Sequence, residues 1–199
     1  MKSLDSTEYY NHNAHAVHAK RKALAEQFNL APLLETLKPN SRVLDVGCGS
    51  GIDLSYIEEA GYHAVGVDSS AQMLEIAKTL APKSTLLNKN ALFYTPQTQE
   101  FDGVWMNEFI NELPSEQAQR VIAACFQGMK SGGVLGMIVR EGEGVFEDRE
   151  DDIEGPSRMI YLYAEKPICS MIEQTGFQVL KLGRRADRPG VLLVIAKRL

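Results

Sequence analysis

The segment VLDVGCGSGIDL, residues 43–54, brings an acidic side chain and three alternating glycines together at the end of an apolar run. A glycine has no Cβ, so the backbone of such a turn is able to lie close against a ligand. A pyrophosphate turn has the spacing GxGxxG, but Ile52 stands where its third glycine belongs. A carboxylate about 4 Å from a phosphate costs roughly 1 kcal/mol in water and about 4 kcal/mol at an effective dielectric of 20. Asp45 therefore favours a ligand with an ammonium or sulfonium group over a diphosphate.

The elements that must position this turn alternate between short β-like runs and runs with helical spacing from Ser41 onward. Such alternation predicts a parallel sheet covered by helices, and the C-terminal segments FQVLKLG and VLLVIAKRL are typical of a hairpin at its edge. We therefore expect an α/β fold that is Rossmann-like and doubly wound, with a mostly parallel seven-stranded sheet, an antiparallel C-terminal hairpin strand and helices on both faces. The first five strands are expected at residues 42–46, 63–68, 85–88, 102–106 and 133–139, and the helices between them at 53–61, 70–80 and 114–130.

Other segments flank this alternation. Residues 7–28 and 32–37 predict two helices ahead of the sheet. The glycines of KSGG, residues 130–133, are expected to end the preceding helix. The acidic segment 141–155 is interpreted as an exposed loop, and residues 166–176 as a further helix.

Composition limits the classes of protein to which the chain can belong. It has 199 residues, 44% of them hydrophobic, and a formal net charge of -5, which suits one domain with its own core. No stretch approaches the roughly 18 to 20 apolar residues of a membrane span, and the polar N-terminal segment predicts a cytoplasmic protein. The acidic balance argues against a nucleic-acid partner. Three cysteines without CxxC spacing are expected to be reduced thiols.

The stretch LDVGCGSG resembles the first motif of the class I S-adenosylmethionine-dependent methyltransferases, whose cofactor is cationic at its reactive end. The resemblance implies that S-adenosyl-L-methionine is the cofactor and S-adenosyl-L-homocysteine the product. It implies that Asp45 attracts the methionine ammonium through water, and that Gly47, Cys48 and Gly49 form the backbone surface under the amino acid and ribose. On this basis residues 1–199 form a single domain, divided into lid helices at 1–40, a cofactor-binding core at 41–139 and a substrate-side part at 140–199.

Further matches to the family follow in the same order along the chain. Asp68, 21 residues after Gly47, is expected to accept hydrogen bonds from the ribose hydroxyls, although it is also placed to cap the next helix. Met73 resembles a methionine beside the adenine, although its spacing also suits the core. In NKNALF, Asn90 takes the position of an acid that addresses adenine. The predicted cofactor-binding residues are Asp45, Gly47, Cys48, Gly49, Asp68, Ser69, Met73, Asn90, Ala91, Leu92, Asn107 and Tyr10.

Methyl transfer needs few catalytic groups, because the sulfonium already activates the methyl carbon and the protein mainly aligns and desolvates the acceptor. A base is needed only for a hydroxyl, thiol or protonated amine. The candidates are Glu108, Tyr10 and Glu141. As an isolated acid, Glu108 also suits a solvated position. Tyr10 would either close over the cofactor or anchor its helix together with Tyr9. Alternatively, Glu141 pairs with Arg140.

Several residues around the expected acceptor site have two interpretations each. Tyr161 and Tyr163 either flank the pocket or belong to a packed strand. The cluster Lys20, Arg21 and Lys22 either attracts an acidic substrate or is a helix surface. A spacing of three residues places His12, His15 and His18 at successive angles around a helix rather than on one face. No acid or cysteine completes a ligand set nearby, so no metal is expected.

We conclude from the sequence that the chain is a methyltransferase acting on a small-molecule acceptor, as a monomer or homodimer without a nucleic-acid or membrane partner. One alternative is an S-adenosylmethionine-binding protein without methyl transfer, a sensor or partner subunit. Another is methylation of RNA or protein, which the acidic balance and the absence of an NPPY-type motif in WMNEF disfavour.

Overall fold

The computed structural model describes residues 6–23, 30–148, 155–184 and 188–199. Helices and strands alternate through most of this length, as the sequence predicts. The elements are α1 (Thr7–Ala23), α2 (Ala31–Leu34), β1 (Arg42–Val46), α3 (Ile52–Glu59), β2 (His63–Asp68), α4 (Ala71–Leu80), β3 (Thr85–Asn88), β4 (Phe101–Asn107), a 3-10 turn (Phe109–Glu112), α5 (Ser115–Gly128), β5 (Met129–Arg140), β6 (Val145–Asp148), β7 (Arg158–Tyr161), α6 (Glu165–Gln174), β8 (Phe177–Arg184) and β9 (Val191–Arg198).

Within the described residues a seven-stranded sheet has the order β3-β2-β1-β4-β5-β9-β8. Strands β1 to β5 pair in parallel, and β9 is antiparallel to both β5 and β8. The predicted Rossmann-like fold with its antiparallel C-terminal strand is therefore confirmed. The strand order reverses between β1 and β4, and in open α/β sheets the crevice beyond the carboxyl ends at such a point is where ligands bind.

The core lies on both faces of the sheet because successive side chains of the central strands point to opposite sides. On β4, Val104 and Met106 pack in the cluster that contains residues of α5 and α6, whereas Trp105 packs with residues of α2 and α3. All three are fully buried. The Trp105 indole donates to Asp53 Oδ2 at 2.8 Å, which fixes α3 against β4 below the glycine turn.

Two predictions about connecting segments are wrong. Helix α5 ends at Gly128, and KSGG lies inside β5, because Met129 is fully buried and already pairs with Phe101. The glycines instead fall where the register between β4 and β5 shifts, so they form a bulge rather than a helix end.

Segment 141–155 is also not simply a loop. Its residues 145–148 form β6, which pairs antiparallel with β7 outside the main sheet. Residues 149–154 of the predicted loop lie outside the described residues. Helix α2 is shorter than predicted and ends at Leu34.

None of the helices in the described part of the chain has the length and apolar character that crossing a membrane requires. The three cysteines are free, as expected.

Candidate active site

The glycine turn between β1 and α3 is held against β2, because Gly47 and Cys48 donate their amides to the carbonyl of Val67 at 2.8 and 3.2 Å. Gly47 has a φ of +71°, and a Cβ there would lie 2.4 Å from Phe109 Cδ2. Gly49 has a φ of +52°, and a Cβ there would meet nothing within 4 Å. The first glycine is therefore required by packing, whereas the second faces open space.

Asp68 joins the end of β2 to this turn. Its two carboxylate oxygens accept from the amides of Gly49 at 2.9 Å and Ser70 at 2.8 Å. Ser70, not Asp68, caps α4, since its hydroxyl accepts from the amide of Met73. Burial raises the pKa of Asp68 to about 6, even though both amides favour the carboxylate.

Two more carboxyl groups lie beneath the turn. Asp53 accepts from Trp105 and, at 2.9 Å, from Asn107 Nδ2. Asp45 is 2% exposed, and burial together with the charges of Asp53 and Asp68 raises its pKa well above the usual range. Among the described residues, Asp45 Oδ2 and Asn107 Oδ1 have no hydrogen-bond partner. Two such acceptors suit a nearby cation, because unpaired buried polar atoms are costly.

A cavity of about 1020 Å³ extends from this turn to the loop after β4. Asp45 and Glu141 do not line it. The predicted cofactor-binding and catalytic residues that do line it are Tyr10, Gly47, Cys48, Gly49, Asp68, Ser69, Met73, Asn90, Ala91, Leu92, Asn107 and Glu108.

The wall beyond β3 is a tight turn. Asn90 Oδ1 accepts from the amide of Leu92 at 2.9 Å, so the side-chain oxygen expected to address adenine already has one hydrogen-bond partner. Met73 is 1% exposed and packs with Tyr9, Ala14 and Val17, so it is a core residue that also lies at the edge of the cavity.

Glu108 is the centre of a charged group beyond β4. It has a φ of +57°, uncommon for a residue with a side chain, and its amide donates to the carbonyl of Ile138 at 2.8 Å. Its carboxylate is 5% exposed and forms ion pairs with Arg140 Nε at 2.8 Å and with Arg188. The solvated alternative for Glu108 is therefore wrong. Burial alone would raise the pKa of Glu108, but Arg21, Arg140 and Arg188 together lower it.

Arg140 thus pairs with Glu108 and not with Glu141, contrary to the alternative from the sequence. Glu141 lies at the surface, where Arg184 Nε donates to its Oε2 at 2.8 Å. This ion pair lowers the pKa of Glu141. Its position outside the cavity wall argues against Glu141 as a base.

Helix α1 is fastened over the cavity by a second charged group, which we name the Arg158 clasp: Tyr10, Glu112, Asp148 and Arg158. Tyr10 donates its hydroxyl to Glu112 and accepts from Arg158 Nη1. Arg158 also donates to Asp148 Oδ2 from Nε at 3.1 Å and from Nη2 at 2.9 Å. Its guanidinium lies 4.8 Å from the centre of the Tyr9 ring. The clasp therefore links α1 to the 3-10 turn and to the β6–β7 pair.

The sequence of residues 43–133 matches the family described as "Methyltransferase domain". Together with the seven-stranded sheet and the glycine turn, this match confirms the resemblance seen in the sequence. Residues 43–133 are a methyltransferase domain, and the sheet and the glycine turn support the class I S-adenosylmethionine-dependent methyltransferases as its family. The predicted cofactor, S-adenosyl-L-methionine, is confirmed with the family.

The methyltransferase is similar to an uncharacterized methyltransferase of Synechocystis sp., with 26% identity over 173 residues, 85% of this chain and 76% of that protein. It is 34% identical over 104 residues to a ubiquinone biosynthesis O-methyltransferase of Coxiella burnetii, which is 50% of this chain but only 43% of the relative. Its fold matches a solved methyltransferase from Methanosarcina mazei with a TM-score of 0.73 at 20% identity, over 85% of this chain and 97% of that one.

The remaining predicted residues of the methyltransferase divide between the cavity and the core. Tyr161 lines the cavity, whereas Tyr163 is buried and donates its hydroxyl to the carbonyl of Leu113 at 2.6 Å. Arg21 lines the cavity and Lys22 is exposed. Among the residues that the structure describes, no three His, Cys, Asp or Glu side chains are grouped so as to hold a metal ion.

Sequence reasoning missed Arg158, Asp148 and Arg188. Asp148 and Arg158 are only 10 positions apart, but Arg158 contacts Tyr10, 148 positions away, and Arg188 contacts Glu108, 80 positions away. Only the acidic character of segment 141–155 pointed to a charged group there, and the sequence offers no signal for its partner.

Proposed function

We propose that this methyltransferase transfers the methyl group of S-adenosyl-L-methionine to a small-molecule acceptor held in the cavity beside Glu108. The observation that carries the proposal is the size of the cavity together with the residues that line it. Its volume of about 1020 Å³ is at the upper end of the roughly 300–1,000 Å³ that single-ligand pockets occupy, so it has room for a cofactor and a compact acceptor. Tyr10, Arg21 and Arg158 are among the side chains that line it.

The cofactor roles that the resemblance implies fit this geometry. We propose that Asp68 binds the ribose, that Gly49 leaves room for the ribose and amino acid, and that Asp45 acts on the ammonium through water, since it does not itself reach the cavity. Met73 and the turn from Asn90 to Leu92 would border the adenine. The bound cofactor supplies a methyl group on a sulfonium, which is already activated for in-line displacement.

The chain's own contribution would be to align the acceptor and keep water out. Neither of the candidate bases that line the cavity suits proton removal. The pKa of Glu108 is lowered by arginines, so its carboxylate has little affinity for a proton. Burial and the charge of Glu112 raise the pKa of Tyr10, so its hydroxyl keeps its proton. We therefore propose that Glu108 positions arginines and that Tyr10 fastens α1, rather than that either acts as a base.

The Coxiella relative is named for O-methylation in ubiquinone biosynthesis, which is a reaction on a small molecule. This name supports a compact acceptor but does not extend to the acceptor's identity, because the match covers less than half of the relative.

The test has two parts. Isothermal titration with S-adenosylhomocysteine should show binding to the purified chain. A screen of small hydroxyl, amine, thiol and carboxylate compounds should then reveal acceptor-dependent formation of S-adenosylhomocysteine from S-adenosylmethionine. Binding without turnover for any class of acceptor would instead favour a protein that senses the cofactor. Turnover only with RNA or protein would contradict the small-molecule acceptor.

A further inference from the structure

The group around Glu108 contains more positive charge than is required to neutralise its one carboxylate. Three guanidinium groups, of Arg21, Arg140 and Arg188, act on this one carboxylate and lower its pKa, although burial alone would raise it. All four side chains line the cavity. The nearby acids Glu112 and Asp148 share Arg158, so these three groups carry a net charge of −1, and one positive charge remains of the excess of two around Glu108. In a chain with a formal net charge of -5, this excess of cations at the cavity is a local feature.

Much of the hydrogen-bonding capacity of Arg21 and Arg140 is unused. Arg140 donates to Glu108 through Nε at 2.8 Å, and within the described part of the chain its two terminal amino groups make no hydrogen bond. Arg21 lines the cavity and forms neither a hydrogen bond nor an ion pair with any described residue. A guanidinium has five N–H donors in a fixed fork and no acceptor, so its natural partner is an oxyanion with two or more oxygens.

Glu108 itself explains why the arginines stay in place. Its carboxylate holds Arg140 and Arg188 side by side, and its own backbone is fixed by the bond to Ile138. Arg140 and Arg188 remain partly accessible, with 29% and 28% of their side chains exposed. Apolar side chains, including Phe109, Leu113 and Tyr161, line the same cavity.

We propose that the acceptor is an anion: a small molecule with an apolar body and a carboxylate or phosphoryl-type oxyanion, bound by Arg21 and the free ends of Arg140 beside Arg188. This inference rests on the proposed function and names the chemical class of its acceptor. Glu108 is a positioning residue in this site, because it acts on the ligand through the arginines it holds.

The test uses pairs of probes that differ only in charge, titrated into the chain saturated with S-adenosylhomocysteine. Benzoate is compared with benzamide, and phenylphosphonate with its diethyl ester. We expect the acid of at least one pair to bind about tenfold or more tightly than its neutral partner, because it alone pairs with the guanidinium groups. The two pairs also separate a carboxylate site from a phosphoryl site.

Arg21→Gln and Arg140→Gln should each weaken binding of the preferred acid by about 10- to 100-fold and leave binding of the neutral partner unchanged. Arg184→Gln is the matched control: it also removes a guanidinium, but from an exposed ion pair outside the cavity, and the acid preference should persist. If Arg140→Gln fails to fold, Arg140→Lys keeps the charge without the fork and should lose part of the preference.

The anionic site is overturned if acids and neutral partners bind equally, if none of the four probes binds, or if Arg184→Gln has the same effect as Arg140→Gln. It is also overturned if Arg21→Gln and Arg140→Gln weaken the binding of S-adenosylhomocysteine and leave the binding of the acid unchanged. These results would leave methyl transfer itself untouched. Acid binding with no acceptor-dependent S-adenosylhomocysteine formation would contradict the proposed function and not the anionic site.

Discussion

The two parts of the cavity are built by different means. The part below the glycine turn consists largely of backbone and short side chains from residues 47–92, at consecutive strand ends. The part around Glu108 consists of long charged side chains, which come from α1, from β5, from β7 and from the segment before β9. The first is local in sequence and the second is assembled only by the complete fold.

The electrostatics of the two parts are also opposite. Below the turn, burial raises the pKa of Asp45, Asp53 and Asp68, because few cations lie near them. Around Glu108, arginines outweigh burial and lower the pKa of a carboxyl group that is buried just as deeply. Burial thus does not decide ionisation by itself. The carboxyl groups of the first part favour a cationic ligand, whereas the arginines of the second part exceed the charge of Glu108 and favour an anionic ligand.

The largest effect is expected from the clasp that closes the second part. Arg158→Gln should reduce the free energy of unfolding by roughly 3–5 kcal/mol, because it leaves Glu112 and Asp148 without their partner in a site where Arg158 is 2% exposed. Urea unfolding monitored by circular dichroism measures the change. The control is Arg184→Gln, whose guanidinium is exposed and should contribute little. A loss no larger than that of the control would show that the clasp does not stabilise α1 over the cavity.

The difference between the two parts also explains what could be predicted from the sequence. The strands from β1 to β4, the turn and Asp68 follow from local patterns: an apolar run, glycines with the right spacing, and an acid at the next strand end. The structure places the turn and Asp68 at the cavity. Each of these predictions needed only the periodicity of one element and the rule that parallel strands end at the same edge.

The environment of Glu108 could not be predicted in this way. An isolated glutamate after a strand looks solvent-exposed until the chain brings Arg140 and Arg188 to it, from positions 32 and 80 residues further along. The prediction that KSGG ends a helix is wrong for a related reason, since glycines end helices and form bulges equally well. Only the pairing of Met129 with Phe101 decides between the two.

A pH series tests the electrostatic contrast. Because the pKa of Asp68 is raised to about 6, its contribution to the stability of the ligand-free protein is present below its ordinary pKa and is lost as the pH rises through about 6. Ribose hydroxyls would bind the carboxylate form, so the affinity for S-adenosylhomocysteine should rise with pH over the same range, by up to about tenfold per unit below pH 6. Isothermal titration between about pH 5 and 7 measures this rise.

Asp68→Asn should remove the contribution of Asp68 to the slope of S-adenosylhomocysteine affinity against pH. Asp102→Asn, which changes a carboxylate outside the cavity whose pKa is lowered, should keep the slope. The proposed ribose contact would be contradicted if wild-type affinity did not change with pH, or if Asp68→Asn bound S-adenosylhomocysteine as tightly as the wild type.

The smallest effect separates backbone strain from contact with the ligand in the first part of the cavity. Gly49 and Gly61 both have a positive φ, of +52° and +85°, and a Cβ at either position would meet nothing within 4 Å. Alanine at either position should therefore cost about 1–2 kcal/mol of folding free energy, from the left-handed backbone alone. Only the alanine methyl group at position 49 would enter the cavity. Gly49→Ala should therefore also weaken the binding of S-adenosylhomocysteine by roughly 1 kcal/mol, about fivefold, while Gly61→Ala should not. Equal affinities of the two variants, measured by titration, would mean that the cofactor does not lie against the middle of the turn.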